Sequence, residues 1–285
     1  MFESARIFPS RLEWPLSVNN LSEVPRSATR IRLISKALGF EKLREFQHLS
    51  ALWCFGVNQQ KLNDISQCGS LRALYLDYNL RITELRPLKK LSALDVLRLD
   101  SCSTIDSLEE LGTLSQLTGL AIENFKNVHD LRPLAMLTNL RELAVEGSIW
   151  SRMKINSLAP IVGLSRIEYL SLTNLKVVDE SLQPLTHLPN LKELLIANFY
   201  PFEEFARLSA KLPNCECQWF APYVTTTLEC PKCKTGNRVL VTGKGKPLLC
   251  PTCDAIRLAR HVKEFERIRN DARASTKIAE QSKLL

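Results

Sequence analysis

The sequence predicts a right-handed α/β solenoid with a parallel sheet on its concave side, closed near its C-terminus by a small metal-bound unit. Three observations carry this expectation. An aliphatic motif returns about every 23 residues, a second aliphatic element keeps phase with it, and four cysteines fall in two C-x₂-C pairs.

Taken in chain order, residues 1–50 hold a degenerate copy of the motif ending at Ile31–Leu33. Trp14 and the helical-looking stretch Glu41–Leu49 are expected to cap the first repeat, because both ends of a solenoid otherwise expose core and strand edges. A weaker copy, Leu52–Phe55–Val57, comes next. The full motif then reads Leu71–Leu74–Leu76, Leu94–Leu97–Leu99, Leu117–Leu120–Ile122, Leu140–Leu143–Val145, Ile167–Leu170–Leu172 and Leu191–Leu194–Ile196. Each L-x-L places two side chains on one face of a short strand and turns the residue between them outward.

The second element starts at Ile82, Ile105, Val128, Ile155 and Val177. Apolar residues three apart, such as Leu85, Leu88 and Leu91, suit a helical or 3₁₀ return facing the same interior. Pro87, Pro133, Pro160 and Pro184 fall early in that element, where a missing N–H costs little. One repeat is four residues longer, around Ser148-Ile-Trp-Ser-Arg-Met153, and the extra residues are expected to protrude from one rim. Leu212-Pro-Asn-Cys215 echoes Leu188-Pro-Asn-Leu191, so a last strand is expected near Cys215, followed by the cap residues Trp219, Phe220 and Tyr223.

Cys230, Cys233, Cys250 and Cys253 form C-x₂-C-x₁₆-C-x₂-C. Each C-x₂-C pair can bend both sulfurs onto one ion, and four thiolates complete a tetrahedral zinc shell. The intervening residues 238–242 and 247–249 read as two short strands joined by the Gly243–Gly245 turn. The arrangement resembles a zinc ribbon of rubredoxin-like knuckle type, with one structural Zn2+. Four thiolates leave no open position for Lewis-acid chemistry. Cys215 and Cys217 are more simply packing residues. A helix from Ala255 to about Ala279 follows, with a modest apolar stripe of Ile256, Ala259, Val262 and Phe265 or Glu266.

The repeats themselves resemble the leucine-rich-repeat family over residues 28–217. That family continues the motif with Asn, or Cys, three positions past the last strand aliphatic. Asn79 and Cys102 stand there in two repeats, whereas Phe125, Ser148, Leu175 and Phe199 depart from the pattern. The resemblance implies a horseshoe with its sheet on the concave side and a protein-binding role, and it implies no activity. The expected division is an N-terminal cap with a degenerate repeat over 1–50, the solenoid and end cap over 51–220, the zinc ribbon over 221–254 and a basic helical tail over 255–285.

The charge is unevenly placed. Of a net +8, residues 221–285 carry 13 Lys and Arg against 6 Asp and Glu, so the body is nearly neutral. Signal-peptide and membrane-span patterns are absent from the sequence, and nine cysteines without an export signal point to a reducing, cytoplasmic setting. None of the four histidines belongs to a recognised catalytic pattern, so an enzyme is not expected. The expected function is that of a protein-binding scaffold using outward strand residues and the rim. Tyr75, Arg98 and Tyr169 are candidate anchors. Asp77, Asp100, Glu123 and Glu146 form a column of like charges on adjacent strands, suited to a basic partner surface. Trp150 is the candidate on the rim insertion. The alternative is a nucleic-acid adaptor using Lys232, Lys234, Lys244, Lys246, Arg257 and Arg260.

Overall fold

A computed structural model describes residues 7–8, 14–234 and 236–281, with backbone alone over 276–281. The strands are β1 (Val18–Asn20), β2 (Arg30–Leu38), β3 (Ala51–Phe55), β4 (Ala73–Asp77), β5 (Val96–Asp100), β6 (Gly119–Glu123) and β7 (Glu142–Glu146). Then come β8 (Met153–Ile155), β9 (Tyr169–Leu172), β10 (Leu175–Val177) and β11 (Glu193–Ile196). All but β8 and β10 form one parallel sheet in chain order, while β8 and β10 pair beside it. The chain is a leucine-rich-repeat solenoid with its parallel sheet laid out one strand per repeat.

The repeated aliphatics set the register. Leu74, Leu97, Leu120, Leu143, Leu170 and Leu194 are successive cross-strand partners or lie on the same row, and all are buried. A slip of one residue would turn this entire row outward, so the period fixes the pairing. Returns are short: α1 (Gln59–Ile65), α2 (Glu109–Gly112) and 3₁₀ turns at Arg86–Lys90, Arg132–Met136, Ala159–Ile161 and Gln183–His187. A proline opens each of those four 3₁₀ turns, as the sequence led us to expect. These 3₁₀ turns close by i→i+3 bonds such as Leu91 N–H to the Leu88 carbonyl.

Asn79 shows what the family pattern does. Its Oδ1 accepts from Val57 N–H at 3.1 Å, and its Nδ2 donates to the Asp100 carbonyl at 3.0 Å, tying three repeats together. Phe125 and Leu175 fill the equivalent place with buried apolar volume instead. In the lengthened repeat, Gly147 is required by close approach, because a Cβ there would meet the Asn174 carbonyl oxygen at 2.2 Å.

Both ends differ in part from expectation. The degenerate copy at Ile31–Leu33 is realised within β2, and β1 adds a further strand beyond it. Glu41–Leu49 contributes only a 3₁₀ turn, Phe40–Glu45. Trp14 does not close the end; it lies on the concave face against Trp53 and Tyr75. At the other end a single bridge, Glu193 to Glu216, stands for the strand expected near Cys215. There α3 (Phe202–Lys211) and Trp219 close the core, with Trp219 Nε1–H donating to the Ile196 carbonyl at 2.7 Å.

The C-terminal unit is a three-stranded antiparallel sheet of β12 (Tyr223–Glu229), β13 (Asn237–Val241) and β14 (Leu248–Leu249). β13 and β14 match the expected hairpin, and β12 is additional. The ribbon docks on the last repeat through Asn198, which donates to the Val241 carbonyl at 3.0 Å and accepts from Gly243 N–H at 2.6 Å. Gly243, at φ 116°, leaves room for Phe202. Helix α4 (Ala255–Gln281) then staples the two units: Leu258 packs in the ribbon core, while Phe265 and Ile268 enter the solenoid core beside α3. The packed stripe is therefore Leu258, Val262, Phe265 and Ile268: Val262 and Phe265 fall where expected, whereas Ile256 and Ala259 do not, and Ile256 is 82% exposed. The phase is set by which residues meet two separate cores, information that a single-helix pattern lacks.

Candidate metal centre and interaction surfaces

The four ribbon cysteines converge. Their sulfur atoms all lie within 4.8 Å of one another, with Cys230–Cys253 at 3.9 Å and Cys233–Cys250 at 3.6 Å. Four thiolates about 2.3 Å from a tetrahedral zinc would be separated by about 3.8 Å, so the donor set fits that ion in number, softness and spacing. Local backbone makes this possible. Lys234 adopts φ 52°, letting its N–H bond the Cys230 carbonyl at 3.0 Å, while Cys253 N–H points at Cys250 Sγ at 3.4 Å. The Asp254 carboxylate accepts from Cys250 N–H at 2.9 Å and so fixes the backbone of the second cysteine pair. Bound there, zinc would supply cross-linking of the two knuckles. Cys215 and Cys217 stay outside this cluster, and burial pushes both thiols up to about 12.

The outward strand residues are not open to solvent. Ile7 is fully buried on the concave face, and a Cβ at Gly119 would lie 2.9 Å from its Cγ2. Ile7 N–H donates to Glu142 Oε2 at 3.1 Å. Phe8 meets Tyr169 edge-on at 6.2 Å between centroids, and the Arg98 guanidinium lies 5.2 Å from the Phe8 ring. Trp14 stands edge-on to Trp53 and Tyr75, each at 5.5 Å. Together with Val96, Ala121 and Ala144 these form an apolar cluster separate from the solenoid core. Tyr75 and Tyr169 are consequently buried.

The acidic column is internally answered. Arg98 bridges Asp77 at 3.3 Å and Glu123 at 2.9 Å, with its side chain 17% exposed. Asp77 also accepts from Trp53 Nε1–H at 2.7 Å. Asp100 accepts from the Ser101 hydroxyl at 2.7 Å, and Glu146 accepts from the Ser171 and Thr173 hydroxyls. Burial raises the Glu123 carboxyl to about 7 despite the opposing pull of Arg98. The acidic column, expected to suit a basic partner surface, is thus a hydrogen-bonded network half covered by the chain itself.

The rim insertion behaves otherwise. Ser148 Oγ accepts from the N–H groups of Trp150 and Ser151 at 3.3 and 3.0 Å, making a tight turn whose base closes through Met153 N–H to the Asn174 carbonyl. Arg152 stacks 3.6 Å from the Phe199 ring centroid. The tip is left bare: Ile149 is 80% and Trp150 is 88% exposed. Trp150 does not fold back over Phe125 or Leu175, which are buried beneath the repeats.

Among the basic candidates, Lys244 pairs with Glu180 and its N–H bonds the Tyr200 carbonyl, so it serves docking of the ribbon. Lys246 lies 4.5 Å from the Phe202 ring centroid. Lys232, Lys234, Arg257 and Arg260 are exposed and make no ion pair among the described residues. No described helix is long and apolar enough to cross a membrane.

Residues 7 and 8 are the functional-face residues that sequence reasoning missed. The available signal was a run of small apolar residues, Gly119, Ala121 and Ala144, at outward positions where a bare scaffold would carry polar side chains.

No family model matches this sequence, and no curated protein is similar to it. Among solved structures, internalin C2 of Listeria monocytogenes is similar at 19% identity and a TM-score of 0.44, over 59% of this chain and 73% of its own. The internalin inlF of the same bacterium is 18% identical with a TM-score of 0.48, over 67% and 59% of the two chains. A leucine-rich-repeat protein of Leptospira interrogans is 18% identical with a TM-score of 0.41, over 65% and 52%. The chain spans little more than half the length of the last two.

Proposed function

We propose that this chain is a non-catalytic scaffold that binds a protein partner in a reducing, cytoplasmic setting, through the rim and concave face of its repeats. The observation that carries the reading is the bare Ile149–Trp150 tip. Two adjacent large apolar side chains are held out on a hydrogen-bonded turn with no packing role, on a body whose inward strand aliphatics are buried. Tryptophan anchors of this kind carry a large share of interface energy. Zinc, held by Cys230, Cys233, Cys250 and Cys253, stiffens the end of the solenoid next to that rim. The test is affinity capture from native extract after nuclease treatment, comparing wild type with Ile149→Ser/Trp150→Ser. A protein captured by wild type and lost from the double variant supports the scaffold; capture of the same proteins by both sinks the rim reading.

The second reading, a nucleic-acid adaptor, draws on Lys232, Lys234, Arg257 and Arg260, four exposed cations without ion-pair partners among the described residues. Phosphate binding there would fall steeply with salt. Retention of capture after nuclease in 0.5-fold to twofold physiological salt, on the order of 0.1–0.3 M, argues against it.

A further inference from the structure

We infer that the concave face is a peptide groove held shut by the chain's own N-terminal residues, and that its partner is an extended protein segment carrying an aliphatic–aromatic pair beside a basic flank. This deepens the scaffold reading and rests on it only for the partner being a protein.

The groove is shaped for such a segment. Its floor is Val96, Gly119, Ala121 and Ala144, small residues on three neighbouring strands, and its ends are the bulky Tyr75 and Tyr169. Side chains on this floor point away from the solenoid interior, whose own leucines are fully buried without any help from it. Nothing in the fold of the repeats therefore needs the groove to be filled. Left bare, it would be an apolar furrow edged by Glu142 and Glu193 and by the Arg98–Asp77–Glu123 network, which is the composition of a binding site and not of an ordinary surface.

The occupant in cis shows the chemistry accepted. Ile7 takes the floor above Gly119, Phe8 takes the edge of Tyr169 under Arg98, and the Ile7 N–H is read by Glu142. In sequence an arginine, Arg6, precedes this pair, which gives the probe segment its basic flank. Among the described residues the hold consists of the fully buried Ile7 side chain, its backbone hydrogen bond to Glu142, the Arg98 guanidinium against the Phe8 ring, and edge contacts by Phe8 and Trp14, both only partly buried. A segment tethered within its own chain faces the groove at an effective concentration of order mM, so it excludes weak ligands and yields to strong ones.

The experiment uses a fluorescently labelled peptide of residues 1–16 as the probe, and full-length protein. Anisotropy titrations are run on wild type, Phe8→Ala, Ile7→Asp, and Ile7→Asp/Gly119→Leu. Opening the groove with Ile7→Asp is expected to strengthen peptide binding about tenfold over wild type, with Phe8→Ala between the two. Leucine at position 119, on a strand with ordinary backbone angles, fills the floor and is expected to abolish the gain. A scrambled peptide is expected not to bind. Equal binding by wild type and Ile7→Asp, or no binding by a folded Ile7→Asp, overturns the inference. Loss of cooperative unfolding in both Ile7→Asp and Phe8→Ala also overturns it, because the segment would then be core. None of these results bears on the rim capture experiment, which fails or succeeds independently.

Discussion

Replacing Arg98 by Met should destabilise the solenoid in a pH-dependent way. Arg98 is 17% exposed and joins Asp77 and Glu123, themselves 11% and 25% exposed. Methionine keeps the aliphatic length and removes the charge, leaving two carboxylates facing each other within the column. Breaking a fully buried pair costs about 3–5 kcal/mol, and the partial exposure here reduces that to about 2–3 kcal/mol at pH 8. The Glu123 carboxyl is raised to about 7, chiefly by burial, and Arg98 pulls it down. A folded-state pKa above the unfolded value gives stability that is present at low pH and lost as pH rises through about 7. At pH 5.5, on the order of one and a half units below that value, Glu123 is largely neutral in the native state, and the penalty of Arg98→Met should shrink to about 1 kcal/mol. Urea unfolding followed by circular dichroism at both pH values reads this directly. A loss at pH 8 below about 0.5 kcal/mol, or one that does not change with pH, refutes the network.

Other consequences follow from the same structure. Purified protein should hold one zinc per chain, and Cys233→Ser or a strong chelator should release it. The release should speed amide exchange in β12 to β14 and leave β4 to β7 protected, as hydrogen–deuterium exchange would show. Phe265→Ala empties a fully buried site in the solenoid core and should cost about 3–5 kcal/mol, detected as a lower thermal midpoint. Gly147→Ala forces a methyl into the Asn174 carbonyl and should abolish soluble expression or reorder the 148–152 turn, visible as a large shift in Trp150 fluorescence.

The repeats were legible in the sequence because a solenoid is built from nearest-neighbour contacts, and each aliphatic row meets the same row one period away. The zinc ligands were legible for a similar reason, since two residues between paired cysteines dictate the local bend. What escaped was non-local. Ile7 and Glu142 are 135 residues apart, and nothing in the period links them. The pairing of Arg98 with the acidic column was hidden by treating each column separately, although both columns were correctly placed on adjacent outward positions. The stripe of α4 was read correctly at Val262 and Phe265 and wrongly at Ile256 and Ala259, because two cores, not one, select its buried residues. β12 was missed because its Thr225–Thr227 run is largely exposed and carries little apolar alternation.

The scaffold account is tested most directly at position 150. A photoactivatable phenylalanine replacing Trp150 in cells, with the same residue at exposed Met136 as the control site, cross-links whatever touches each surface. The account predicts a discrete protein adduct at 150 that is absent at 136. Identical adducts at both positions, no protein adduct at 150, or adducts destroyed by nuclease would contradict it.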